Sequence, residues 1–180
     1  MEYKTGLSYS EDQVTDLIYN LKKSPLKKGR PEYKWKGWAI RVVIDLYRKI
    51  FSPQYLSGDV TLVPIPPSKA KGHAEYDDRM TKILKGICRG TEGDVRELIT
   101  LTETIRSSHL SDDRPPPTEL MRCLQIDEDL CETEPGTILL FDDMITTGSH
   151  FVACRRILQK RFPNAEIMGV FITRRIIEEG

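Results

Sequence analysis

Residues 138–149 read Ile-Leu-Leu-Phe-Asp-Asp-Met-Ile-Thr-Thr-Gly-Ser, and this run constrains the fold more than any other part of the chain. Thr137 to Phe141 has no charged interruption and follows the Pro135–Gly136 turn, so it predicts a buried strand. Thr146, Thr147, Gly148 and Ser149 then open a helix that carries Ala153, Ile157 and Leu158. Gly148 lets backbone amides approach an anion closely, and the helix N-terminus adds the positive end of its dipole, which suits a phosphate. Asp142 and Asp143 stand at the strand's carboxyl end and point to opposite sides. One can accept hydrogen bonds from sugar hydroxyls while the other faces a cation or supports the loop. An Asp–Asp pair by itself is more often a helix cap. Here the strand before it and the hydroxyl–Gly loop after it require one explanation for all three parts, and a sugar-phosphate site supplies it.

The rest of the chain provides the frame. At 180 residues, a single domain buries roughly two-thirds of the surface that the unfolded chain exposes. Ser10 to Gln13 forms a capping-box start, and Val14, Leu17, Ile18 and Leu21 recur at helical spacing up to Ser24–Pro25. A basic connector from Lys22 to Arg30 and a second helix over about Gly37–Phe51 complete an N-terminal helical cap, residues 1–56. The core, residues 57–180, begins with a strand through Val60, Leu62, Val63 and Ile65, stopped by prolines at 64, 66 and 67. Asp77 or Asp78 caps a helix through Met80, Ile83, Leu84 and Ile87, and Glu97 to Leu101 is the next strand. Residues 104–122 hold three consecutive prolines and four basic side chains, the signature of a lid or a disordered connection. Ala165 to Thr173 is the last strand. Strands alternating with helices predict one α/β domain, a mostly parallel sheet flanked by helices.

Composition removes several alternatives. Lys plus Arg and Asp plus Glu are each 27, so the overall field attracts neither nucleic acid nor an anionic membrane, and any anion site must be built locally. Cys88, Cys123, Cys131 and Cys154 show no CxxC spacing, which argues against a zinc module and a disulfide-stapled secreted domain. The longest apolar runs fall far short of the roughly 20 residues of a spanning helix, so a soluble, cytoplasmic protein is expected.

The 138–149 segment closely resembles the signature of type I phosphoribosyltransferases, a hydrophobic strand followed by two acids and a Thr-Gly-containing phosphate loop. The resemblance implies the type I phosphoribosyltransferase fold with a flexible hood. It implies binding of phosphoribosyl pyrophosphate with Mg2+, and transfer of ribosyl 5-phosphate to a nitrogen acceptor with release of pyrophosphate. Asp142 and Asp143 then take the ribose 2- and 3-hydroxyls and touch the metal only through water or ribose. Met144, Ile145, Thr146, Thr147, Gly148 and Ser149 surround the 5-phosphate. His150 stands where the family often has Thr or Ser and reads as a helix-start residue. Purine-salvage members carry an Asp at the position of Thr146, and Thr cannot serve as that base near neutral pH. Transfer to another nitrogen nucleophile stays open, and no residue announces the acceptor.

A type I domain also receives pyrophosphate in a loop after its first core strand, usually built with a strained peptide. Val63 to Gly72 lies at that place, with Ser68, Lys69 and Ala70 offering backbone amides and a cation and with Lys71 nearby. Lys69 joins Asp142 and Asp143 as the residues on which catalysis would rest. Val63-Pro64-Ile65-Pro66 and the later Tyr76-Asp77-Asp78-Arg79-Met80 are similar to the competence-protein ComF branch, although the zinc module common there is missing. The family's hood maps to Thr104–Arg122, with Arg106, His109, Arg114 and Arg122 as candidates to cover the ligand. Type I domains commonly dimerise, so Tyr33, Trp35 and Trp38 are candidates either for a homodimer contact or for packing the cap. Two other functions fit the same resemblance: a sensor of phosphoribosyl pyrophosphate or a nucleotide without turnover, and a ComF-like role linked to DNA handling.

Overall fold

The computed structural model describes residues 2–4, 13–104 and 116–176. The capping-box residues Ser10, Glu11 and Asp12, and the hood candidates Arg106, His109 and Arg114, lie outside the described residues. In chain order the elements are β1 (Glu2–Lys4), α1 (Gln13–Leu21), α2 (Lys34–Ile50), β2 (Val60–Pro64), α3 (Arg79–Ile87), β3 (Asp94–Val95), β4 (Ile99–Leu101), α4 (Pro117–Cys123), β5 (Leu124–Ile126), β6 (Thr137–Ile145), α5 (Ser149–Arg161) and β7 (Glu166–Ile176). Five strands form a sheet in the order β1-β7-β6-β2-β3, and every pairing in it is parallel. The fold is therefore α/β with helices on both faces of a parallel sheet, as the strand–helix alternation predicts.

Side-chain parity decides which face each residue serves. Leu62, Leu139 and Phe141 pack with Leu17, Leu21, Val43, Tyr47, Ile83 and Leu84 from α1, α2 and α3. Val63, Ile138 and Leu140 turn the other way, against Cys154, Leu158 and Phe162 of α5 and its end. Phe141 is fully buried and meets Tyr47 and Phe51 edge-on, with ring centroids 5.8 and 5.7 Å apart, a geometry that adds about 0.5–1.5 kcal/mol per pair to the area term. All four cysteines are free, and Cys88, Cys131 and Cys154 are buried.

Two expectations change in detail, and the helical cap packs directly on the sheet. The stripe Ala39, Val43 and Tyr47 on α2 is buried in the same cluster as α3 and the sheet, so these helices are one of the sheet's two covering layers. β1 extends the sheet beside β7, a strand that the sequence pattern did not reveal.

The strand expected over Glu97–Leu101 is present only at Ile99–Leu101, where it pairs antiparallel with β5 in a separate ribbon; the edge of the main sheet beside β2 is instead Asp94–Val95, just before the expected range. The apolar pair Leu98 and Ile99 is drawn into the α5-side core, which carries the chain off the sheet edge. The connection expected over Thr104–Arg122 is in part helical: α4 begins at Pro117 and buries Leu120.

Candidate functional site at the carboxyl end of the sheet

The strand order reverses between β2 and β6. From β2 the chain passes through α3 to β3 on one side, and from β6 through α5 to β7 on the other. Helices that leave two neighbouring strands in opposite directions open a crevice above the strands' carboxyl ends, where ligands of open parallel sheets bind. The two loops bordering this crevice are 65–78, after β2, and 146–148, after β6, and these are the loops that the sequence pattern singled out.

β6 is longer than expected. It pairs with β7 through Ile145 but with β2 only through Phe141. Asp142, Asp143, Met144 and Ile145 therefore belong to the strand and overhang the end of β2. Thr146 and Thr147 follow, and Gly148 adopts φ 76° immediately before α5. A side chain at position 148 would be strained there. The Thr147 and Ser149 hydroxyls lie 3.0 Å apart, and the Ser149 amide donates to Thr147 Oγ1 at 3.4 Å. Small hydroxyl side chains thus frame the first turn of a 13-residue helix.

The acids are not equivalent. Asp143 is 3% exposed and faces the α3 side. Its Oδ2 accepts from Arg79 Nε at 2.9 Å and also from Arg79 Nη2, and its Oδ1 meets Lys22 Nζ at 3.1 Å. Arg79 Nη1 donates to Asp77 Oδ2 at 2.7 Å. Lys36 Nζ donates to that same oxygen at 2.7 Å and to the carbonyls of Leu21 and Lys23 at 2.6 and 2.9 Å. One chain of charges thus joins the end of α1, α2, the start of α3 and β6.

Burial opposes ionisation of Asp143, but Arg79 and then Lys22 outweigh it and hold the carboxyl below its usual range. Burial also lowers Lys36, against the hydrogen bond that its ammonium donates to Asp77. Asp142 points to the opposite face, is partly exposed, and accepts the Asp143 amide at 2.7 Å. Burial first, and the charge of Asp143 second, push it up to about 7.

Arg79, Lys22 and Lys36 had no assigned role at this site in the sequence. Two signals were nevertheless present. An Arg in the first turn of a helix opposes the dipole, so Arg79 needed another partner. Lys36 stands on the buried stripe of α2, where a lysine requires an acid.

The loop after β2 is tied to its surroundings by several contacts. Ile65 N donates to Phe141 O at 2.8 Å, and Ala70 N to Thr104 Oγ1 at 3.3 Å. No described peptide bond is cis and no described non-glycine residue has positive φ, so the strained peptide usual in the family's pyrophosphate loop is not found among them. Ser68 and Lys69 are half-buried. Lys71 pairs with Glu97 at 2.7 Å.

Two clefts share the floor made by Ile65 and Pro66. One encloses about 350 Å³ of solvent-open space between Lys69, Lys71, Tyr76, Glu97 and Leu101. The other encloses about 200 Å³ between Leu120, Leu124, His150 and Cys154. Burial, then Glu97, Asp78 and Asp77, push Tyr76 up to about 12, so its hydroxyl stays a neutral donor. Arg122 lies exposed on α4.

Thr146–Gly148 and Ser68–Ala70 thus lie in the loops that follow the neighbouring strands β6 and β2. Asp143 instead turns into the protein. No protein-family model matches the sequence, and no curated protein matches it. No described helix is long and apolar enough to cross a membrane.

Proposed function

We propose that this chain is a phosphoribosyltransferase of the type I fold, which binds phosphoribosyl pyrophosphate at the β2/β6 crevice and transfers ribosyl 5-phosphate to a nitrogen acceptor. The observation that carries the reading is the reversal of strand order at β2 and β6, with a left-handed glycine and a helix N-terminus on one border and a lysine-bearing loop on the other. The first border suits a phosphate monoester. The second suits a departing pyrophosphate, with Lys69 offsetting charge that develops on the leaving group. Asp142, at the open end of β6, faces the ribose hydroxyls as acceptor.

Magnesium fits this donor set in one way. Among the described residues no three His, Cys, Asp or Glu side chains gather into a cage. Mg2+ typically keeps several waters and takes one or two carboxylates plus substrate phosphates. Asp142 would hold it here, through water or ribose, together with the ligand's own oxygens; both oxygens of Asp143 are already engaged. When bound, the ion supplies positive charge to the pyrophosphate.

Thermal melting with ligand tests the reading. A ligand that binds only the native state at 100 times its Kd stabilises it by about 2.7 kcal/mol, or about 5–11 °C for a chain of this size. Phosphoribosyl pyrophosphate with Mg2+ raises Tm by that amount, and much less with EDTA. Equal null shifts in both conditions refute the proposal. A screen of nucleobases and amines for pyrophosphate release then separates an enzyme, which consumes the ligand, from a sensor, which does not.

A further inference from the structure

Two adjacent acids on one strand are usually given one role, but here their surroundings differ in kind. Both oxygens of Asp143 are engaged by cations from other elements, and its side chain is almost wholly buried. Asp142 lies on the other face of β6 and is partly exposed. Arg79 is the hub. Its guanidinium spends two nitrogens on Asp143 and the third on Asp77, which Lys36 in turn fixes to the end of α1. The planar fork is what allows one side chain to bridge two carboxylates in a set direction; an ammonium has no such geometry.

We propose that Arg79 is a positioning residue that divides the acidic pair: with Lys22 it holds Asp143 as an internal anchor of β6, and Asp142 is the acid that meets the ribose. The assignment rests on the proposed phosphoribosyl reading and specifies it. It also gives the N-terminal helices a part in the site, because Lys22, just after α1, meets Asp143 and Lys36 of α2 meets Asp77. Without Arg79, Asp143 is left with Lys22 alone, and the end of β6 that overhangs β2 loses its tie to α3.

Calorimetry with ribose 5-phosphate, below the melting temperature of each variant, tests this. Asp142→Asn weakens binding about tenfold or more, and at least about five times more than Asp143→Asn does. Arg79→Met weakens it about tenfold even in fully folded protein, although Arg79 does not face the ligand. Adding Asp143→Leu to Arg79→Met replaces the ion pair by apolar groups and recovers most of the lost affinity. A purely structural Arg79 would lower Tm and leave the affinity of the folded protein unchanged, and that result overturns the proposal. Equal losses for Asp142→Asn and Asp143→Asn, or no recovery in the double variant, overturn it too. If Arg79→Met does not fold, the comparison of the two Asn variants decides alone. Absence of ribose 5-phosphate binding by the wild-type protein refutes the phosphoribosyl reading itself, whereas intact wild-type binding with equal losses refutes only the division of roles.

Discussion

Asp142→Asn should make the ligand-free protein more stable while it weakens ligand binding. In the folded protein the Asp142 carboxyl is pushed up from 3.8 to about 7, by burial first and by the charge of Asp143 second. At pH 8 most of that separation is a cost of holding the acid ionised, an upper bound of about 4 kcal/mol at roughly 1.4 kcal/mol per unit. Allowing for relaxation around the charge, about 2–4 kcal/mol is released when Asn replaces Asp142, and the Asn carbonyl oxygen can still accept the Asp143 amide. For 180 residues this raises Tm by about 4–16 °C.

The sign follows from linkage. A folded value above the unfolded one means that Asp142 favours folding below about 4, and that this contribution is lost as pH rises through about 7. Asp143 has the opposite sign, since its contribution is present above the unfolded value and lost as pH falls through the lowered folded one. It is common to both proteins and largely cancels in the difference. Melting curves of wild type and Asp142→Asn with EDTA, from pH 4 to 8, should therefore coincide near pH 4 and separate steadily above it. A variant that melts at or below the wild-type temperature at pH 8 shows that Asp142 is not a strained anion, and the argument fails.

Three further outcomes are expected. Lys36→Met removes the ammonium that serves Asp77 and two carbonyls, and urea titration should show a loss of about 3–5 kcal/mol, as for other broken buried pairs. Gly148→Ala places a Cβ at φ 76°, which costs about 1 kcal/mol or more in stability and should weaken inorganic phosphate and ribose 5-phosphate alike, read by calorimetry. Gly86→Val sets a Cβ against Ile44, 2.8 Å from its Cγ1, so the Ile44 side chain must repack or α2 and α3 must part, and urea titration should show about 1–3 kcal/mol of destabilisation.

Local chemistry made several parts of this molecule legible. The apolar run before Asp142, the left-handed requirement at Gly148 and the stripe on α3 are each set by residues within a few positions of one another, so periodicity and turn chemistry located them. The same local rules placed strand ends and helix starts within a few residues, and α2 differed only in starting at Lys34. The strand within Glu97–Leu101 forms at Ile99–Leu101 but off the parallel sheet, because an apolar run does not say which neighbour it will pair with. Leu98 and Ile99 follow the deeper apolar contact on the α5 side and leave β3 only two residues long.

The acidic pair draws the same line more sharply. Adjacency on a strand is enough to send Asp142 and Asp143 to opposite faces, because side chains alternate across the pleat. Nothing in that adjacency says which face will be crowded with cations. That depends on Lys22, Lys36 and Arg79, which lie 121, 107 and 64 positions from Asp143 in the chain and arrive together only when α1, α2 and α3 pack on one side of β6. Charge and hydrogen bonding are local in space, whereas the sequence records only neighbours along the chain. The position of the acids could therefore be read from the sequence, while their division into a buried anchor and an open acceptor arises from the packing of three helices.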